Sequence, residues 1–209
     1  MTRSALIILV KTKLDEYAPT GVDLPFDDYI GPLLDESARD LLAKAPLHLV
    51  SPTSISLTST VFENDKSYIP VPSDWIRIHE IKYPLWKKSV RTAISRENPE
   101  YQVQENEFIK GGYGRPEVAI VTTSVLGGAI TKYLECSKVI SGATPVVATY
   151  VKTLSETGDS ESKYNDLNDQ LTDSLSWLCT VKVFSVLGYS DKAKLAMEHY
   201  NNALLALTV

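Results

Sequence analysis

Several residue types in this sequence could do chemistry, but none has the spacing that a known reaction needs. The glycine-rich loop at residues 111–114 lacks the lysine and hydroxyl of a phosphate-binding loop, and Pro116 leads into a predicted strand instead of a helix. His48, His79 and His199 are far apart, and none belongs to an HExxH or HxH motif. We therefore predict a structural turn at the glycines and no catalytic histidine.

Cysteines and carboxylates give no clearer site. Cys136 and Cys179 lie in segments of different character without a CxxC motif, so we expect two reduced, buried thiols. Asp23, Asp27 and Asp28 share a proline-containing segment that could bind a cation. We favour the simpler reading, in which they belong to a solvated loop and to the start of a helix. We predict no metal, no cofactor and no enzymatic activity.

A basic and aromatic interval at residues 75–96 is the strongest candidate for binding. Its basic side chains could follow a phosphate backbone, cover a solvated sheet face, or meet an acidic patch on a protein partner. The net charge of −5 favours the two readings without nucleic acid. The interval contains Trp75, Arg77, Lys82, Tyr83, Trp86, Lys87, Lys88, Arg91 and Arg96.

The composition is that of a globular protein, with 44% hydrophobic and 22% charged residues. Arg3 precedes a short apolar run at residues 5–10, but Lys11 interrupts the run before it reaches the length of a signal peptide. No stretch approaches the roughly 20 apolar residues of a membrane span. We expect a cytosolic protein, or one that is built into a particle assembled in the cytosol.

Two helices are predicted at the C-terminal end, from residue 164 to residue 207, with a break at Gly188. Apolar residues recur at steps of three and four residues, and from Trp177 onward they spread around the helix. We expect Gly188 to adopt a left-handed conformation, Ser190 to cap the next helix and Asp191 to lie in its first turn. The last helix has one broad apolar face, formed by Leu195, Ala196, Tyr200, Ala203, Leu204 and Leu207.

The remaining chain reads as helices followed by strands. Helices are predicted at residues 4–17 and 33–45, with Pro19 and Gly21 ending the first and a loop at residues 22–32. Alternating residues predict a hairpin between 55–57 and 68–71 around a turn at 63–66, and a second hairpin at 118–136 around Gly127 and Gly128. Residues 145–154 are also β-rich, residues 75–83 form a strand or a short helix, and Pro99 breaks a helix-tolerant segment.

This order predicts an α+β fold, in which N- and C-terminal helices form a bundle and an antiparallel β region is inserted between them. The predicted parts are residues 1–50, 51–157 and 158–209.

The string Tyr68-Ile69-Pro70-Val71-Pro72-Ser73-Asp74-Trp75-Ile76-Arg77-Ile78 follows the pattern hydrophobic–Pro–x–Asp–aromatic–hydrophobic–Arg. This pattern resembles a segment of the head-to-tail connector proteins of tailed phages, in particular the neck ring proteins of crAss-like podoviruses. The likeness covers residues 50–207 and also includes Trp86-Lys87, Asn98-Pro99-Glu100-Tyr101, Asn106, Gly111-Gly112, Arg115-Pro116, Leu134-Glu135-Cys136, and the set Asp191, Ala193, Lys194 and Tyr200.

The resemblance implies a structural virion protein without catalytic activity. Such adaptors form a ring, commonly of twelve subunits, which docks through its helices on the portal protein and extends the channel for double-stranded DNA toward the next tail component. DNA would pass without sequence-specific binding, and no membrane is involved. Another neck or tail ring component, such as a stopper or terminator, is the alternative, followed by a DNA-binding accessory protein.

Amphipathicity and the habits of the family together predict the interface residues. The last helix would provide the contact surface, and the interval at residues 75–88 would face a neighbouring subunit or the channel. The predicted interface residues are Trp75, Arg77, Trp86, Lys87, Lys88, Leu195, Tyr200, Leu204 and Leu207.

Overall fold

A computed structural model describes residues 1–17, 27–106, 112–125, 130–154 and 161–207. The predictions for Pro19, Gly21, Asp23 and the turn at Gly127 and Gly128 lie outside these residues, as does Gly111. The chain forms two compact units. The helical unit contains Met1–Ser51 and Thr153–Val209, and the β unit contains Pro52–Lys152.

The described residues form five α-helices, in the order of the chain: α1 (Arg3–Tyr17), α2 (Asp27–Lys44), α3 (Pro99–Glu105), α4 (Thr172–Val186) and α5 (Ser190–Ala206). The strands are β1 (Thr53–Ser54), β2 (Val61–Glu63), β3 (Lys66–Pro70), β4 (Trp75–Lys82), β5 (Ile94–Ser95), β6 (Val118–Thr123), β7 (Thr131–Ser137) and β8 (Val147–Lys152). Helices from both ends of the sequence pack together, and the strands lie between them in the chain, so the predicted α+β class is confirmed.

Helix α4 is the centre of the helical unit, where it contacts α1, α2 and α5. Most of its apolar side chains, including Leu175 and Phe184, are buried, as the spread of apolar residues around the helix predicts. Lys182 at its margin pairs with Glu36 (2.8 Å) and Asp40 (2.5 Å) of α2. Three helices therefore pack around α4, and ion pairs with α2 lie at its margin.

Gly188 ends α4 as predicted, with a φ of +79°. The amide of Gly188 donates to Ser185 O (3.2 Å), and the amide of Tyr189 donates to Phe184 O (2.9 Å), which together form a Schellman motif. The prediction that Ser190 caps α5 is wrong. Tyr189 occupies the cap position and Ser190 is already helical, because the Schellman turn brings the chain into α5 one residue earlier.

Two other helix boundaries differ from the prediction. Helix α4 begins at Thr172 instead of residue 164, because the Asn168 side chain accepts from the Gln170 amide (3.0 Å) and caps a separate short 3-10 turn. Helix α2 begins at Asp27 instead of residue 33 and contains Pro32. Ile30 and Leu34 on either side of this proline are buried, so their packing offsets the hydrogen bond that proline cannot donate.

The β unit contains two sheets. One has the strand order β2-β3-β7-β6-β5, and the other has the order β1-β8-β4. All pairs are antiparallel except β5 with β6. Ile69 and Leu134 of the first sheet share a hydrophobic core with Ile78 and Tyr150 of the second. The hairpin of β6 and β7 and the β-rich segment at β8 are confirmed.

The other hairpin uses a different first strand from the one predicted. Strand β3 pairs with β2, through a two-residue turn at Asn64 and Asp65 whose φ values are +50° and +58°. Ile55 instead donates its amide to Ala148 O (2.9 Å), and it therefore follows β1 in the other sheet. Residues 75–82 form a strand, and Asn98 with Pro99 begins α3 instead of breaking a helix, because Asn98 caps it.

We predict that Gly188→Ala lowers the free energy of unfolding of the helical unit by about 1 kcal/mol. The added Cβ would meet no atom within 4 Å, so the left-handed φ alone causes the loss. Gly114→Ala is the matched control, since that glycine also has open space but no positive φ. Urea unfolding followed by helical circular dichroism measures both variants. Equal midpoints for Gly188→Ala and wild type would contradict the role of this turn.

Buried thiols predict a pH dependence of stability. Burial raises the pKa of the Cys136 thiol from its ordinary value of 9.0 to about 12. The unfolded chain therefore loses this proton first, and the stability present below about pH 9 declines as the pH rises, by up to about 1.4 kcal/mol per pH unit. Cys136→Ala should flatten the decline of the β unit between about pH 8 and pH 10 in the presence of a reductant.

Cys179→Ala provides the control for this experiment, because burial also raises the pKa of Cys179 to about 12 but in the helical unit. It should flatten the pH dependence of the helical unit and leave that of the β unit unchanged. The tryptophans Trp75 and Trp86 report on the β unit, and Trp177 reports on the helical unit. If the stability of the β unit declines with pH equally in wild type and in Cys136→Ala, the buried thiol is not the cause of the decline.

Candidate functional site

A short loop after β4 presents an apolar side chain beside two lysines. Leu85 is 46% exposed, whereas its neighbour Trp86 is only 2% exposed. The Trp86 indole packs against Tyr83 with ring centroids 5.1 Å apart, and its Nε1 donates to Lys138 O (3.1 Å). The buried Trp86 therefore anchors the loop to the core of the β unit, and Leu85 beside it is exposed to solvent.

Lys87 and Lys88 continue this loop and are both exposed. The Lys87 amide donates to Tyr113 O (3.1 Å), which brings the half-exposed Tyr113 to the same surface. Neither lysine forms an ion pair with any other part of the chain that the structure describes. We call Leu85, Lys87, Lys88 and Tyr113 the loop patch.

The rest of the basic and aromatic interval is less accessible. Trp75 is buried and stacks on Tyr150, with centroids 5.9 Å apart and an interplanar angle of 14°. Arg77 is half-buried on β4, and Arg91 lies 3.8 Å from Glu80. The tryptophan rings belong to the core of the β unit, so neither of them is exposed for stacking on nucleic-acid bases.

Helix α5 has one packed side and one outward side. Ala196 and Tyr200 are buried, and Leu204 and Leu207 are half-buried. On the outward side, residues at steps of three, four and three form a row that remains exposed. We call this row the α5 stripe, and it consists of Leu195, Glu198, Asn202 and Leu205.

The two ends of the α5 stripe are apolar, and its middle is acidic or polar. Leu205 is 63% exposed, and Leu195 is also exposed. Glu198 has no ion-pair partner among the residues that the structure describes. Val186 and Leu187, at the corner between α4 and α5, are exposed as well. The C-terminal helices therefore present several exposed apolar side chains.

The structure separates the predicted interface residues into two groups. Trp75, Trp86 and Tyr200 lie in the core, where they pack within the same chain. The surface holds the exposed residues Lys87, Lys88 and Leu195, with half-buried positions at Arg77, Leu204 and Leu207. The prediction did not include Leu85, Tyr113, Glu198 or Leu205. The steps of three and four residues along α5 could have indicated Glu198 and Leu205, whereas nothing local indicates Tyr113.

A buried carboxylate in the β unit was also missed. Glu135 is 2% exposed and accepts from Lys66 Nζ (2.8 Å) and Tyr101 Oη (3.0 Å), with an Arg96 guanidinium nitrogen at 3.5 Å. These partners come from β3, α3 and the segment after β5, so Glu135 of β7 joins several elements. A paired and hydrogen-bonded carboxylate of this kind fastens α3 to the sheet.

A second polar cluster joins three helices of the helical unit. Lys13 Nζ donates to Ser176 Oγ (2.6 Å) and Asp173 Oδ1 (2.5 Å), and it lies 4.1 Å from the centroid of the Trp177 ring. His199 stacks on Trp177 at 4.5 Å, so α5 is also included. Burial lowers the pKa of Lys13, and the Asp173 carboxylate opposes that shift. Lys13 acts here as a packing residue.

The remaining candidates are not brought together. His48 is exposed, and His79 Nδ1 lies 3.3 Å from Thr149 Oγ1. Within the described ranges, no group of three or more His, Cys, Asp or Glu side chains is arranged to hold a metal ion. Cys136 and Cys179 are free, buried thiols. The strongest candidate sites are therefore the loop patch and the α5 stripe, which are surfaces for contact.

No known protein-family model matches the chain, and no curated protein is significantly similar to it. Among the helices that the structure describes, none combines the length and the apolar character that crossing a membrane requires.

We predict that Glu135→Gln lowers the stability of the β unit by about 3 kcal/mol, because Lys66 and Arg96 lose a charged acceptor at a buried position. Tyr101→Phe should cost less, about 1–2 kcal/mol, since it removes one hydrogen bond to the same carboxylate. Chemical unfolding followed by tryptophan fluorescence compares the two variants. A larger loss for Tyr101→Phe would contradict the central position of Glu135.

Proposed function

We propose that this protein is a structural component of a phage neck, a head-to-tail connector that forms a ring on the portal and extends the DNA channel. The observation that carries the proposal is a set of exposed apolar residues at the C-terminal helices, namely Val186, Leu187, Leu195 and Leu205. Exposed apolar side chains that cluster on one part of a protein are typical of interaction surfaces. A ring would cover them in the assembled particle.

The place of one resembling segment in the fold supports a structural role. The segment from Tyr68 to Ile78, the first motif of the resemblance, leaves β3 in one sheet and enters β4 in the other. Tyr150 donates to Asp74 of this segment (2.8 Å) and stacks on Trp75. These contacts fix the connection between the two sheets. In an adaptor, the segment would therefore have a structural role.

The candidate surfaces also favour assembly over catalysis. The loop patch and the α5 stripe combine exposed apolar and charged side chains, which suits contact with another protein. A stopper or terminator ring would use similar surfaces, and portal binding distinguishes the connector from these alternatives. DNA would pass through such a ring without sequence-specific contacts, and the assembled protein would reside in the virion neck and serve tail assembly and DNA ejection.

Electron microscopy of the purified protein mixed with the portal protein of the same virus tests the proposal. We expect a ring, with twelve subunits if the portal is a dodecamer, seated on the portal with its helical unit toward it. A portal that remains bare at high protein concentration would exclude the connector role.

We predict that Val186→Lys weakens portal binding by about tenfold or more, because it places a charge in the apolar corner between α4 and α5. A lysine in the last turn is favourable for the helix dipole, so the substitution should not destabilise α4. Ile140→Lys is the matched control, since Ile140 is a comparably exposed apolar residue of the β unit. Co-sedimentation with the portal measures both. Equal losses for the two variants would contradict docking through the helical corner.

A further inference from the structure

The two units of the chain carry charges of opposite sign. The helical unit holds 9 lysines and arginines against 16 acidic residues, a net charge of −7. The β unit holds 12 basic residues against 10 acidic ones, a net charge of +2. Two copies of this chain therefore attract each other when the β unit of one approaches the helical unit of the other.

The loop patch and the α5 stripe are complementary in detail. The loop patch places Leu85 beside Lys87 and Lys88, and the α5 stripe places Leu195 and Leu205 on either side of Glu198. One surface thus offers an apolar side chain with cations, and the other offers apolar side chains with an anion. These charges are also unpaired within the described parts of their own chain, so the contact breaks no existing ion pair.

We propose that the loop patch of one copy docks on the α5 stripe of a second copy, with Lys87 and Lys88 facing Glu198 and Leu85 packing against Leu195 or Leu205. The two surfaces are different parts of the molecule, so the contact is heterologous and leaves one of each free for a further copy. Repeating such a contact builds a closed ring when the rotation between neighbouring copies divides a full turn evenly. The inference rests on the proposed function and identifies the subunit contact of that ring.

The rigidity of both surfaces supports this contact. Trp86 fastens the loop patch through its indole hydrogen bond and its packing on Tyr83. The α5 stripe lies on a helix whose other side is held by Ala196 and Tyr200. Since both surfaces are ordered before they meet, docking loses little conformational freedom.

Duplex DNA is the competing occupant of the loop patch. Phosphate contacts need cations, but they give no role to the exposed Leu85. Trp75 and Trp86 are buried, so they offer no surface for stacking on the bases of a single strand either. A second copy matches both parts of the loop patch. Its negatively charged helical unit suits the lysines, and the apolar ends of its α5 stripe suit Leu85.

Charge reversal tests the contact. Lys87→Glu with Lys88→Glu should weaken self-association by about tenfold or more, measured by sedimentation velocity at moderate salt, alone and on the portal. Glu198→Lys alone should also weaken it. Combining the three substitutions in one chain, or mixing the lysine variant with Glu198→Lys, should restore at least half of the lost assembly, because both arrangements place opposite charges together again.

Lys44→Glu with Lys132→Glu is the matched control, since both lysines are exposed and the net charge changes equally. Rings that form equally well with the Lys87 and Lys88 substitutions would overturn the inference and leave the connector role intact. Loss of assembly without rescue by Glu198→Lys would also overturn it, because the loop patch would then have another partner.

Two further outcomes are decisive. The Lys87 and Lys88 substitutions could leave assembly intact but abolish binding of a duplex oligonucleotide that the wild type binds with a steep salt dependence. This result would assign the loop patch to DNA and overturn the inference. Self-association with full charge-swap rescue but no portal binding would support the inference and contradict the connector role. A wild-type chain that neither self-associates nor binds the portal contradicts both.

Discussion

Burial of α4 on every side is the constraint on which the helical unit depends. A helix that is apolar around its whole circumference has no side for solvent, so it needs several covering helices. Helices α1, α2 and α5 provide this cover from both ends of the sequence. Each covering helix packs on α4 with one side, and its other side does not contact α4. The outward side of α5 is therefore a surface that the packing of the bundle leaves free for another molecule.

The sequence predicts those elements whose signals are local. Gly188 interrupts a long apolar pattern, and a left-handed turn between α4 and α5 is found at this residue. The hairpin of β6 and β7 and the strand β8 are equally evident from their alternation and flanking residues. In each case the signal lies in residues that are close together in the sequence.

Elements that depend on distant partners could not be predicted in the same way. Alternation around Ile55 indicates an extended segment, but only the position of Ala148 shows which sheet it joins. Pro32 looks like a helix boundary, yet buried neighbours keep it inside α2. The candidate surface has the same limitation. Leu85 and Trp86 are adjacent and apolar, and only the tertiary fold shows that one is exposed and the other is an anchor.

The insertion of the β unit has a consequence for the order of folding during synthesis. Lys13 and its partner Asp173 are separated by 160 residues, and the whole β unit lies between them. On the ribosome, α1 and α2 emerge first but cannot bury their apolar sides until α4 has been translated. The β unit contains all of its own strands and can fold before the bundle closes. The early helices must therefore keep part of their apolar surface exposed until α4 has been synthesised.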